Sequence, residues 1–163
     1  MKPAHWLAAA ALATSLGGIA RAAENAPGKD ANDPPLRLGN FSVSLAVKDI
    51  ARSREFYEKL GFKVTGGNQA KNWLVLQSGT TTIGLFQGFF EKNSLTFNPG
   101  WDSNKKTLPA FDDVRDIQQV LKSRGLTLTK EADPATTGPA YATLVDPDGN
   151  PVLIDQHVPK PVK

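Results

Sequence analysis

The feature that most constrains how this chain can fold is an internal repeat. Phe111, Asp113 and Val114 stand 64 residues after Val47, Asp49 and Ile50, and Val120, Leu121, Gly125, Leu126 and Leu128 follow Phe56, Tyr57, Gly61, Phe62 and Val64 at the same offset. The match runs without a gap across a strand end, a helix and the next strand, a coincidence that two unrelated units would rarely produce. Further on, Leu144, Gly149, Val152 and Ile154 keep the order of Leu76, Gly79, Ile83 and Leu85 with one residue inserted.

Within one repeat the periodicities define the elements. Val43, Leu45 and Val47 alternate with Ser42, Ser44 and Ala46, the period of two that marks a strand with one buried face. Asp49 then caps a helix carrying Ile50, Ser53, Phe56, Tyr57 and Leu60 at helical spacing, and Gly61 stops it. Residues 62–65, 73–77 and 81–87 read as three further strands, punctuated by Gly66-Gly67 and Ser78-Gly79. The chain of 163 residues is long enough for one domain with a core and too short for two ordinary ones. The expected class is therefore α+β, two βαβββ modules spanning about 41–88 and 106–157 within a domain of residues 39–158, followed by a tail, 159–163.

The N-terminus reads as a targeting segment. Lys2 precedes an apolar run of eleven residues, 6–16 (WLAAAALATSL), which Gly17 and Gly18 interrupt before Ala20-Arg21-Ala22 presents small residues to a signal peptidase. A membrane span needs about 20 apolar residues, so this run is too short to stay as an anchor. Cleavage after Ala22, or after Ala23, would release a periplasmic or secreted protein. The chain holds no cysteine, which excludes a lipoprotein anchor and a disulfide framework. Residues 23–38, rich in Pro, Asn and Asp, read as a flexible leader.

Cleavage also removes Lys2 and Arg21 and no acid, so the net charge of +3 falls by two to +1. Lys105-Lys106 and Lys122/Arg124 are short local pairs. Neither a nucleic acid nor a membrane surface is an expected partner.

The stretch VKDIARSREFYEKLGF, an apolar strand running through Asp49 into a helix with Phe56-Tyr57 before Leu60-Gly61-Phe62, resembles the first strand–helix signature of the vicinal oxygen chelate superfamily. DPDGNPVLIDQH, from Asp146 to His157, is similar to its last hairpin. The resemblance covers about 117 residues, 41–157. That superfamily includes glyoxalases, extradiol dioxygenases, fosfomycin-modifying enzymes and bleomycin-binding proteins, so the resemblance specifies a fold and not a reaction. It implies that each module curls its sheet, that helices lie outside, and that paired modules enclose a cavity, within one chain or by exchange in a homodimer.

The resemblance also implies metal-ligand positions: a His or Gln on the first strand of each module and a Glu on the fourth. They fall here on Ser42, Gly84, Lys106 and Leu153, which make no divalent-cation site. After cleavage only one histidine, His157, would remain. Asp155 and His157 share a face of the last strand, and Gln87 stands as a possible third donor, but so few donors argue for no metal and no cofactor. No serine sits in a recognisable nucleophile turn. Asp112-Asp113 has a structural reading, since Asp113 matches the helix-capping Asp49.

What remains is a pocket. Ser42, Ser44 and Ala46, Thr82, Gly84 and Phe86, and Leu153, Asp155 and His157 are expected to face inward; Trp73, Tyr141 and Thr143 are further candidates whose register the sequence does not fix. A linker, residues 95–101, carries Trp101 beside an Asn-Pro-Gly turn, where the indole either packs under the linker or covers a ligand. Ser42, Ser44, Trp73, Phe86, Trp101, Tyr141, Asp155 and His157 are the candidate ligand-binding residues, for a small planar or cationic organic molecule. Two classes stay open: an exported, metal-free binding protein of the bleomycin-resistance kind, and an enzyme of the lyase-like glyoxalase or dioxygenase kind, with a non-standard metal site or acid–base chemistry by Asp155 and His157.

Overall fold

In the computed structural model, which describes residues 35–162, the two repeats become two βαβββ units on one sheet. The apolar N-terminal run and the expected cut after Ala22 lie outside the described residues. The first unit is β1 (Asn40–Val47), α1 (Ile50–Lys59), β2 (Lys63–Asn68), β3 (Trp73–Ser78) and β4 (Thr81–Gln87). The second is β5 (Ser94–Asn98), α2 (Val114–Ser123), β6 (Leu128–Lys130), β7 (Ala140–Val145) and β8 (Pro151–Gln156). The eight strands run in the order β2-β3-β4-β1-β5-β8-β7-β6, which reads as one unit followed by its mirror order. β1 pairs in parallel with β4, β5 does so with β8, and the units join by an antiparallel β1–β5 ladder from Asn40↔Asn98 to Ser44↔Ser94. The modules therefore pair within one chain.

Two sequence expectations need correction. The first strand of the second module is not near Lys106. It is β5, inside the stretch read as a linker, and its alternation of Ser94, Thr96 and Asn98 with Leu95 and Phe97 is strand-like. The offset of 64 fails there because residues 99–113 separate β5 from α2, whereas only residues 48 and 49 separate β1 from α1. Lys106 sits in a turn closed by Asp102, whose Oδ1 accepts the backbone N–H groups of Asn104 and Lys106 at 2.8 and 2.9 Å. The leader, expected to run loose to residue 38, is held from Leu36. Leu36 and Leu38 pack on the second core, and Arg37 grips Asp112 through its backbone N–H (2.7 Å) and its guanidinium (2.6 and 2.9 Å).

The repeated caps form as expected, and each acquires a distant partner. Asp49 accepts from the N–H groups of Ala51 and Arg52, and Asp113 from that of Arg115. The N–H of Ile50 donates to Gln87 Oε1 (2.9 Å), and that of Val114 donates to Gln156 Oε1 (2.7 Å). A glutamine at the end of the last strand thus satisfies the first turn of the helix in both units. In the second unit the arrangement is buried: Asp113 also receives Gln156 Nε2 (2.9 Å) and pairs with Arg115, whose side chain and its own are 3% and 0% exposed. Burial pushes the Asp113 carboxyl up, but hydrogen bonds from Gln156 and Arg115, and the Arg115 charge, outweigh it and hold it below the ordinary carboxylate value.

The apolar core lies on the convex face. Leu74, Leu76, Ile83 and Leu85 pack with Ile50, Tyr57 and Phe62 of the first unit; Ala142 and Ile154 pack with Val114, Ile117 and Leu121 of the second. Because side chains alternate along a strand, the opposite residues turn to the concave face. There Ser42, Ser44, Thr82, Thr96 and Asn98 are buried although polar.

Candidate functional site: the cavity between the two modules

The concave face encloses a cavity of about 280 Å³ across the β1–β5 junction. Seven of the eight expected site residues line it: Ser42 and Ser44 from β1, Trp73 from β3, Phe86 from β4, Trp101 from the β5–α2 segment, Asp155 from β8 and His157 just past its end. Tyr141 does not. It stands opposite Asp155 in the β7–β8 ladder, on the same face, but its hydroxyl is taken by Lys130, whose ammonium also lies 4.3 Å from the ring centroid. Asn40 and Lys105 also line the cavity, as do Thr96 and Asn98, unforeseen because residues 95–101 read as linker. The alternation of polar and apolar residues there was the available signal.

Each wall has a local cause. The floor is neutral and polar: the Ser44 and Thr96 hydroxyls bond each other at 3.1 Å, and Asn98 Nδ2 donates to the Asp155 carbonyl at 3.1 Å. Thr82 Oγ1 is buried in the same floor without a hydrogen-bond partner. Above it Trp101 stacks on His157, ring centroids 4.2 Å and planes 12° apart, and His157 Nε2 lies 3.1 Å from Asp155 Oδ2. Trp101 is held by its backbone, its N–H donating to Asn98 O (3.2 Å) and its carbonyl accepting from Asn40 N (2.9 Å). The residue before it, Gly100, has φ +86, and a Cβ there would fall 2.4 Å from Val158 Cγ2, so only glycine turns the chain at this point. The following turn docks on the first module, where Gln77 Nε2 donates to Ser103 O at 2.6 Å. Trp101 thus lines the cavity from a segment held by backbone hydrogen bonds.

The family's metal positions can be tested against this geometry. With β5 in place, the first-strand position of the second module falls on the β5 segment around Thr96, which pairs with both Ser42 and Leu153. At Gly84, where the resemblance calls for Glu, the Phe86 ring occupies the space: an added Cβ would lie 2.5 Å from Phe86 Cε2. Among the described residues, no three His, Cys, Asp or Glu side chains stand together as a metal set. Gln87, the other donor considered, serves the α1 N-terminus instead. Hydroxyls, an aromatic ring and one Asp–His pair do not fit a divalent cation that needs three or more strong donors.

Comparison with known proteins agrees with the fold. NAD-dependent benzaldehyde dehydrogenase from Legionella pneumophila is similar at 18% identity and a TM-score of 0.53, covering 72% of this chain and 98% of that one. A glyoxalase/bleomycin resistance protein/dioxygenase superfamily member from Vibrio splendidus 12B01 is similar at 17% identity and a TM-score of 0.51, covering 72% and 97%. At these identities the likeness concerns fold alone. No curated protein matches the sequence significantly. The model of one family matches residues 41–154, the two modules almost entire, and this match, the paired βαβββ units and their shared cavity lead to one conclusion: the chain belongs to the Glyoxalase/Bleomycin resistance protein/Dioxygenase superfamily.

Proposed function

We propose that this chain is an exported, metal-free binding protein that holds a small organic molecule in the cavity between its modules. The observation that carries this reading is Phe86 lying over Gly84, in the space a ligating carboxylate would need. Neutral hydroxyls and amides below, with Trp73, Phe86 and Trp101 around them, form a surface for an organic ring and not for a metal ion. Export rests on the short apolar run before Ala22, and fits a protein without cysteine.

A second reading is favoured by the Asp155–His157 contact: an imidazole held by a carboxylate at a cavity wall is equipped for proton transfer. It needs no metal either. Metal analysis and ligand titration of purified, untagged protein test both. The expected result is far less than one equivalent of zinc, nickel, manganese or iron, a melting temperature indifferent to chelator, and ligand-dependent quenching of tryptophan fluorescence. Stoichiometric metal would overturn the proposal, and turnover of a bound compound that stops in His157→Ala would favour the second reading.

A further inference from the structure

The cavity is not closed on the side of Phe86. A larger apolar groove, about 690 Å³, continues along the concave face and shares Ser44, Phe86, Leu153 and Asp155 with the cavity. Phe89 and Phe90 form its near wall, 5.6 and 5.3 Å from the Phe86 ring between centroids, and Val145, Pro151 and Val152 its far wall. Phe89, Phe90 and Val145 are 56%, 38% and 48% exposed, a large apolar surface to leave in water beside a cavity mouth.

The two compartments differ in what their polar atoms lack. In the groove the hydroxyls are already paired: Thr129 and Thr143 bond each other at 2.7 Å, and Ser94 Oγ donates to Pro151 O at 3.2 Å, while Glu91 and Lys92 stand among its lining residues. In the cavity Thr82, only 8% exposed, has a hydroxyl with no partner. A buried hydroxyl without a partner is costly unless a ligand or water supplies one. One end of the space therefore calls for a hydrogen-bonding group, and the other end offers hydrocarbon contact along Phe86, Phe90 and Val145.

Building on the binding function proposed above, we infer that the ligand is an elongated amphiphile, with an uncharged hydroxyl- or carbonyl-bearing ring set against Thr82 between Trp73 and Trp101 and an aliphatic tail laid along Phe86, Phe90 and Val145. The continuity of groove and cavity selects this occupant over a protein partner. The tail leaves the ring across Phe86, one of the four residues common to both compartments.

Alkyl esters of 4-hydroxybenzoate, from methyl to dodecyl, test the inference by quenching of tryptophan fluorescence. Affinity is expected to rise by up to about fourfold per added methylene until the groove is filled. Phe90→Asp, at a half-exposed site, should collapse the ratio of octyl to methyl affinity towards one. Thr82→Val, isosteric and folded by its melt, should weaken every ester by a common factor of about five. Binding that does not depend on tail length would overturn the amphiphile and leave the binding function standing. Absence of binding by every ester would sink both. Length dependence unaltered in Phe90→Asp, or a dimer that this variant dissociates without changing the series, would place the tail elsewhere or a second copy in the groove, and either result overturns the inference.

Discussion

Trp101 lies flat on His157, with ring centroids 4.2 Å apart and planes inclined by 12°. The indole comes from the segment after β5 and the imidazole from the end of β8, so the stack closes the cavity between elements that follow the two parallel strands of the second module. Trp101→Ala removes a cavity wall but little of either apolar core. It should weaken ligand binding strongly while lowering stability by no more than about 0.5–1.5 kcal/mol, the scale of one aromatic pair. Melts with and without ligand measure both. A loss of about 3–5 kcal/mol in the unliganded protein would instead mark Trp101 as core.

Gly84 is a packing glycine. Gly84→Ala drives a methyl group into the Phe86 ring, which must shift, and should cost about 1–3 kcal/mol. Adding Phe86→Leu should restore part of that loss in urea denaturation. Gly84→Glu alone should not raise metal content, because the Phe86 ring occupies the space that the carboxylate would need. One equivalent of zinc in that variant would show that the fold retains a latent metal site.

The Asp113 network sets an acid limit on stability. The folded carboxyl binds its proton more weakly than the unfolded one, whose ordinary value is 3.8, so the stabilisation is complete above that value and is lost as pH falls through the lower folded value. Urea midpoints measured from neutral pH to about pH 3 should fall less steeply for Asp113→Asn than for the parent chain. Asp113→Ala, which leaves the buried Arg115 guanidinium without its counter-charge, should cost about 3–5 kcal/mol. Unchanged acid dependence in Asp113→Asn would assign the acid limit to other carboxylates, Asp112 first among them.

Export predicts a specific mature N-terminus. Expressed from its own start in a Gram-negative host, the protein should be recovered from the periplasm beginning at Ala23 or Glu24. Intact-mass spectrometry reads this directly, and Met1 retained in a membrane fraction would refute the leader assignment.

Residues that act on near neighbours announced themselves. Asp49 and Asp113 cap helices that begin at the next residue, and Gly61 and Gly125 end them with positive φ, because capping is settled within one turn of chain. The core face of β4 was equally plain, since Thr82, Gly84 and Phe86 alternate with Ile83 and Leu85, whereas the unbroken apolar run Trp73-Leu74-Val75-Leu76 left the face of β3 open. Tyr141 shows where that reasoning stops. No local pattern fixes its register, and in the fold it shares a face with Asp155 while its hydroxyl is taken by Lys130, a residue of another strand.

The sequence by itself determined the repeated strand–helix units and the faces that β1, β4 and β8 turn to the core, since these follow from periodicity over a few residues. Only the tertiary structure decided that β5 lies within residues 94–98, because a five-residue strand is defined by the partners it bonds to, here Ser42 and Leu153, and not by its own length of pattern. The same holds for the site. Phe86 over Gly84, Trp101 on His157 and the unpartnered Thr82 hydroxyl are meetings across strands, created when two curved modules joined along β1 and β5, and no local period encodes which side chains such a junction brings face to face.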